Sequence, residues 1–259
     1  MSLVKIEVDA DNVLGRQFTE LERTQLPFAV MQACNATAVE IRDVWARTAP
    51  RVFDRPTPMT VKAAQYEKAT KNRLYATIKL RDEAVGGTPP AKYLLPQVEG
   101  GTRRKKGVEL LLQSKGAMPA GMFAVPGRGA ELDAFGNIKA SQVNRILSQL
   151  GARRDPYQNE TEASRARRRN RAAKRGVRGS EFFALRARRG KLLPGIYERL
   201  TTGFGSALRS VLVFVRGARY QKRFDIFGLA ERTWNRLMPF HFNRELEKAL
   251  ASSKYRGRR

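Results

Sequence analysis

Apolar residues return every three or four positions early in the chain, at Leu26, Val30, Ala33, Thr37, Ile41, Val44 and Trp45. That period gathers them on one face and predicts a helix from Gln25 to Ala49, with Thr24 as its cap, Pro27 inside the first turn and Pro50 as its stop. Arg51-Val-Phe-Asp-Arg-Pro-Thr-Pro then reads as an extended, proline-bounded loop, followed by a short helix near Thr60 to Ala64. From Leu74 to Arg81 the period changes to two. Leu74, Ala76, Ile78 and Leu80 share one face, and Tyr75, Thr77, Lys79 and Arg81 the other. This is a half-buried strand, paired through a Lys71-Asn72-Arg73 turn with a partner over Tyr66–Thr70.

The middle of the chain is poorer in core residues. Short helices are expected around Lys105–Ser114 and over Ala140–Leu150, the second closed by Gly151, with loop from Gly116 to Gly129. Three short strands follow, at Glu181–Ala187, Gly195–Thr201 and Leu208–Arg216, and read as an antiparallel meander. Val211, Val213 and Val215 face opposite to Leu212 and Phe214, so the last strand is expected to be central or covered on both faces. A closing helical segment runs from Asp225 to about Ser252, interrupted at Pro239, with Trp234 helping to pack it. Strands come in antiparallel runs, so the class is α+β: a hairpin-plus-meander antiparallel sheet packed against a long N-terminal and a C-terminal helix. The whole, 1–259, is read as a single domain with a loop-rich insertion at 82–140 and a basic, mobile arm at about 152–179.

Charge changes the picture. The 259 residues hold 50 Lys and Arg against 24 Asp and Glu, a formal charge of +26. Residues 1–50 are net acidic by two, so the whole surplus lies downstream. Its densest stretch is Arg165, Arg167, Arg168, Arg169, Arg171, Lys174, Arg175 and Arg178, without an acid among them. A smaller cluster is Arg103, Arg104, Lys105 and Lys106, and the tail from Lys254 to Arg259 adds more. Self-repulsion on this scale disfavours a compact state unless a polyanion compensates it, and nucleic acid is the commonest such partner. Like charges at the density of 165–178 predict mobility in isolation, and the run reads either as a solvated, disordered insertion or as a basic arm that orders against phosphates or an acidic partner ring. Aromatic residues are absent from 158–181, so contact there is expected to be sequence-blind rather than base-stacking. No basic amphipathic helix with an aromatic face favours a membrane surface, no apolar run approaches a membrane span, and the acidic N-terminus lacks the pattern of a secretory signal. Synthesis in a cytosol is therefore expected.

Candidate chemistry is sparse. One Cys, Cys34, and one His, His241, exclude an intrachain disulfide and a four-ligand Cys/His zinc site. Gln32-Ala33-Cys34 shares three residues with a caspase-type nucleophile signature, but Asn35 and Ala36 depart from it, and Cys34 reads as a small buried residue. His241, between two phenylalanines, reads as a partly buried interface residue. Glu131 and Asp133 are the best local acid pair, yet no base stands beside them in sequence, and Asp54, Glu67 and Lys68 make no nuclease spacing. Pro126-Gly-Arg-Gly129 lacks the Lys and following helix of a phosphate loop. Gly100-Gly101 reads equally as a flexible phosphate or partner contact and as a plain surface loop. No catalytic, cofactor or metal residue is assigned.

Several patches carry a resemblance. They are the helix Phe28-Ala-Val-Met-Gln-Ala-Cys-Asn-Ala-Thr-Ala, the loop Arg51–Pro58, Pro90-Ala-Lys-Tyr-Leu-Leu-Pro-Gln-Val-Glu-Gly-Gly101, Pro119-Ala-Gly-Met-Phe-Ala-Val-Pro-Gly127, Leu193-Pro-Gly-Ile-Tyr-Glu-Arg199, and Val211–Val215 leading into the closing helix. In these the chain resembles the tail-completion and minor-tail-protein-Z-like proteins of tailed bacteriophages. The resemblance implies a non-enzymatic α+β virion subunit, made in the host cytoplasm, that forms a homo-oligomeric ring around the DNA path at the head–tail interface. Neighbouring portal, adaptor or tail proteins and the packaged DNA backbone are then its partners, with no membrane and no cofactor. The chain departs from the family in its length and in the 152–179 arm. The alternatives are a sequence-nonspecific DNA- or RNA-binding protein of packaging or ribosome-assembly type, and a nuclease or protease working through His241 or Cys34.

Overall fold

The computed structural model describes residues 3–6, 20–174, 179–202 and 205–256. Where the sequence reading takes 1–259 as one domain, contacts divide the chain into two compact units: Met1–Gly101 with Tyr220–Arg259, and Thr102–Arg219. The class is α+β, with antiparallel sheets and with the long N- and C-terminal helices packed on each other. The hairpin and the meander belong to separate sheets.

In the first unit, helix α1 (Glu20–Val52) starts five residues before the expected boundary and runs past both prolines. Pro50 lies in the last turn, and the Phe53 amide still reaches the Ala49 carbonyl at 3.0 Å. A proline costs its own N–H and crowds one carbonyl, so near a helix end it need not break the chain of bonds. The buried face of α1 is Ala29, Val30, Ala33, Cys34, Thr37, Ala38, Ile41, Trp45 and Ala49. Its many small residues admit helix α7 (Ile226–Arg256), which contributes Ile226, Ala230, Met238, Phe242 and Leu246 to the same core. Pro239 lies inside α7, and the buried spacing stretches from Thr233 to Met238 just before it.

Strand β1 (Leu3–Ile6) and the hairpin β2 (Ala64–Glu67) and β3 (Ala76–Leu80) make a three-stranded antiparallel sheet in the order β1-β3-β2. Ala76, Ile78 and Leu80 are buried, as the alternation predicts. The expected short helix lies slightly earlier, as α2 (Pro58–Val61) capped by Thr57. Helix α3 (Pro90–Val98) stands where the sequence reading has loop, with Pro90 in its first turn and Leu94 and Val98 in the core.

The second unit begins within the two-residue strand β4 (Gly101–Thr102) and ends within β9 (Arg219–Tyr220). It is built on a four-stranded antiparallel sheet of β5 (Phe123–Pro126), β6 (Gly179–Leu185), β7 (Gly195–Thr202) and β8 (Gly205–Val215), in the order β5-β8-β7-β6. β8 is central, as expected from its two apolar faces. The edge strand β5 stands within the span read as loop, and it tolerates Pro126 because an edge residue need not donate. Gly195 lets β7 approach β8, since a Cβ there would lie 2.2 Å from the Leu212 carbonyl oxygen. Helices α4 (Gly107–Ser114) and α5 (Ala140–Gln149) supply Leu112, Ile146 and Leu147 to a core with Phe182, Ile196, Val211, Leu212 and Phe214. Gly151, at φ +64, follows the end of α5 as expected. The segment read as a mobile arm is α-helical over α6 (Glu162–Lys174).

Candidate polyanion interface

The second unit holds 26 Lys and Arg against 8 Asp and Glu, and the first 24 against 16, so +18 of the +26 sits in the second. Helix α6 concentrates it. A helix forms here because the Thr161 hydroxyl accepts the Ser164 amide at 3.2 Å, an N-terminal cap, and the body is alanine and arginine, both strong helix formers.

Repulsion along α6 is answered on one face only. Arg165 and Arg168 reach Glu160 at 3.6 and 2.7 Å, Arg168 also donates to the Ser180 carbonyl, and Arg169 binds Glu181 at 2.6 Å. Arg165, Arg168 and Ala172 are the part-buried positions of the helix, one stripe turned toward β6. The Arg169 guanidinium holds the Glu181 carboxyl below its ordinary range, against the opposing effect of partial burial. Gln149 completes the junction by accepting the Phe182 amide at 2.9 Å. A shallow cavity of about 130 Å³ opens there, lined by Arg165, Arg168, Arg169 and Arg199 with Glu181 as its sole acid. Arg199 lies over the Phe183 ring, 5.3 Å from its centroid.

The opposite stripe of α6 is exposed and unanswered. Arg167, Arg171 and Lys174, with Asn170, follow each other at helical spacing and line one open concavity. Among the described residues no acid lies within ion-pair distance of these three bases. Arg175 and Arg178 lie outside the described residues.

Half of the other predicted cluster is turned inward. Arg103 has a side chain only 11 % exposed and grips Glu109, wholly buried, at 2.5 and 2.9 Å. The same carboxylate accepts the amides of Ala124 and Lys106, each at 2.7 Å. Burial alone would raise the Glu109 pKa, but Arg103 and these two amides outweigh it and leave the group below its ordinary value. Lys105 donates to the Met122 carbonyl and lies over Phe123, 3.8 Å from the ring centroid. Arg103 and Lys105 thus clamp the edge strand β5, and Arg104 and Lys106 remain exposed. Two further acids of this unit are paired: Glu198, 1 % exposed, takes Arg209 at 2.6 Å, and Glu131, at the surface, takes Arg145 at 2.7 Å.

The side chains weighed as enzyme candidates each have their own surroundings. Cys34 is buried, its thiol pushed up to about 12 by burial and 3.5 Å from the Leu74 carbonyl. His241 is buried in the first unit, and burial followed by the nearby Arg244 lowers its pKa. Neither of its ring nitrogens has a hydrogen-bond partner among the described residues. Asp133 spends an oxygen on the Phe135 and Asn137 amides at 2.9 Å, and Asp54 and Glu67 pair with nearby bases. No group of three His, Cys, Asp or Glu side chains among the described residues could hold a metal ion.

One basic group escapes the sequence reading. Arg186, Arg188, Arg189 and Lys191 lie at the exposed tip joining β6 to β7, four bases in six residues. The signal was present as a short Arg-Ala-Arg-Arg-Gly-Lys run, overshadowed by the longer one before it. Set against models of protein families, curated proteins and solved structures, the chain matches none of them.

Proposed function

We propose that this chain is a non-enzymatic structural subunit of a tailed-phage virion, working at the head–tail interface as a homo-oligomeric ring around the DNA path. The observation that carries the reading is the outward stripe of Arg167, Arg171 and Lys174, without an ion-pair partner among the described residues, on a helix whose other face is anchored by Glu160 and Glu181. A fixed row of cations without counter-charge suits a permanent anionic neighbour, the genome in passage or an acidic wall of portal, adaptor or tail proteins. Closed symmetry would multiply that modest contact over every subunit. The virion context is suggested by the resemblance of the sequence patches to tail-completion and minor-tail-protein-Z-like proteins. Among the described residues no helix is long and apolar enough to cross a membrane.

The test is compositional. Purified particles are expected to contain the chain in stoichiometric, multi-copy amount, native mass measurement to give a closed oligomer, and particles made without it to fail at head–tail joining. Absence from the particle overturns the reading. The same stripe also favours a second reading, a sequence-nonspecific nucleic-acid-binding protein acting as a monomer. It predicts tight binding to free duplex by a single chain, with log affinity falling steeply against log salt.

A further inference from the structure

The tip joining β6 to β7 is a basic finger closed by a tight turn. Arg189 and Leu192 exchange two backbone hydrogen bonds, both 3.0 Å, around the two-residue turn Gly190-Lys191. Gly190 has φ +57, so it occupies the first central position of the kind of tight turn whose twist matches its flanking strands. Residues 186–191 are all exposed. Arg216, also exposed, leaves the sheet at the same end, because β7 and β8 are antiparallel and Gly195 pairs with Val213. No acid occurs between Glu181 and Glu198, and none of these five bases forms an ion pair among the described residues.

We propose that this finger is a second phosphate-contacting element, for the backbone of duplex DNA, and that it engages the same duplex as the outward stripe of α6. The proposal rests on the reading of the second unit as polyanion-facing, not on the ring. Geometry supports two points on one partner: α6 meets β6 at Ser180 and Glu181, and the finger lies at the other end of that strand, roughly 20–25 Å away at 3.3 Å per residue. Over that length a duplex presents roughly 12–15 phosphates. Three of the finger's four bases are arginine, which can grip a phosphate bidentately. The span Arg186–Lys191 has no aromatic residue, which removes the stacking platform that single strands require. A two-stranded β-ribbon fits the major groove of B-DNA, whereas that of A-form RNA is deep and narrow.

The experiment compares the full chain with two variants: Arg186→Gln, Arg188→Gln, Arg189→Gln and Lys191→Gln together, and the same sites with every Arg changed to Lys. Binding to two unrelated 30-base-pair duplexes is followed by fluorescence anisotropy across a salt series, with thermal melts to establish folding. The Gln variant is expected to melt as the parent does, to lose at least about tenfold in affinity for both duplexes alike, and to lower the slope of log affinity against log salt by about 3–4. The Lys variant is expected to keep the slope. If the finger and the stripe share one duplex, Gln substitutions at Arg167, Arg171 and Lys174 cost less in the finger variant than in the parent, because the intramolecular second contact is already gone. An unchanged slope in the Gln variant overturns the proposal, as does equal dependence on the finger for binding polyglutamate or anionic phosphatidylserine vesicles. Failure of the parent chain to bind duplex also overturns it, and leaves the ring to be judged by native mass.

Discussion

The first unit closes on the seam between α1 and α7, and among the described residues its buried polar side chains are Thr37, Thr60, Thr233 and His241, none of them an acid. The second buries Glu109, Gln142 and Glu198, two carboxylates each answered by an arginine. Small helix-face residues and large apolar ones fill the first core, while the second has fewer apolar residues and uses charge inside as well as outside. The difference explains where the surplus cations appear. A unit with eight acids that commits five of them to Arg103, Arg145, Arg209 and the inner face of α6 has little negative charge left for its surface. Its outward bases are what remains after the internal pairing.

The largest expected effects set those two kinds of interior against each other. Phe242→Ala in the first unit leaves a cavity and is expected to cost about 3–5 kcal/mol. Glu109→Ala in the second is expected to cost about the same by another route, since it takes the counter-charge from a largely buried Arg103 and the acceptor from two amides. Urea unfolding measures both. The contrast sharpens with a double change: Glu109→Gln with Arg103→Met keeps an acceptor for Ala124 but removes both charges, and much of the loss is expected to return. If the double variant is no better than Glu109→Ala, the second unit is not organised by its internal charge pairs.

Acidification distinguishes the units more gently. His241 is held neutral in the fold by burial and by Arg244, against the opposing pull of Glu40 and Glu245, so its folded pKa lies below the unfolded value of 6.5. The unfolded chain therefore takes up the proton first, and the first unit loses stability as pH falls below about 6.5. Glu109 is also depressed in the fold, from 4.5, so its contribution is complete above that value and disappears only as pH falls through the lower folded one. Both tryptophans, Trp45 and Trp234, lie in the first unit, so tryptophan fluorescence follows that unit alone. Between pH 7 and 5 its melting midpoint is expected to fall while the amide protection factors in β7 and β8, corrected for the intrinsic exchange rate at each pH, stay constant. His241→Leu is expected to abolish that fall.

The same contrast governs what was legible in the sequence. The face of α1, the alternation in β3 and the two-sided strand β8 were all visible, because burial imposes a period on apolar residues. Strand β5 was not, since four residues with a proline carry no period and its pairing is settled by β8 across the sheet. Helix α3 was hidden by its prolines, although Pro90 in a first turn followed by Leu94 and Val98 is itself a helix signal. For α6 the sequence carries two opposing signals. Repulsion among its bases suggested mobility, while Thr161, the alanines and the acids Glu160 and Glu181 on either side favoured a docked helix. Charge density located the candidate interface, but only tertiary structure separated its inward bases, Arg103, Lys105, Arg165 and Arg168, from its outward ones.

The smallest expected effect on stability is also the sharpest test of that separation. Arg167, Arg171 and Lys174 are exposed, without ion-pair partners among the described residues, and spaced four and three apart, where like charges oppose the helix by a few tenths of a kcal/mol per pair. Changing all three to Gln is therefore expected to leave the melting of the second unit within about 0.5 kcal/mol of the parent, on the stable side if either. Affinity for a polyanion should fall all the same, since those charges serve no contact inside the unit. Arg168→Gln is the internal control: it removes the grip on Glu160 and the Ser180 carbonyl, and is expected to loosen α6 from β6, with faster amide exchange along the helix. Should the triple change destabilise the unit as much as Arg168→Gln does, the stripe has an internal partner after all. The surplus charge of the second unit would then belong to its folding rather than to its surface.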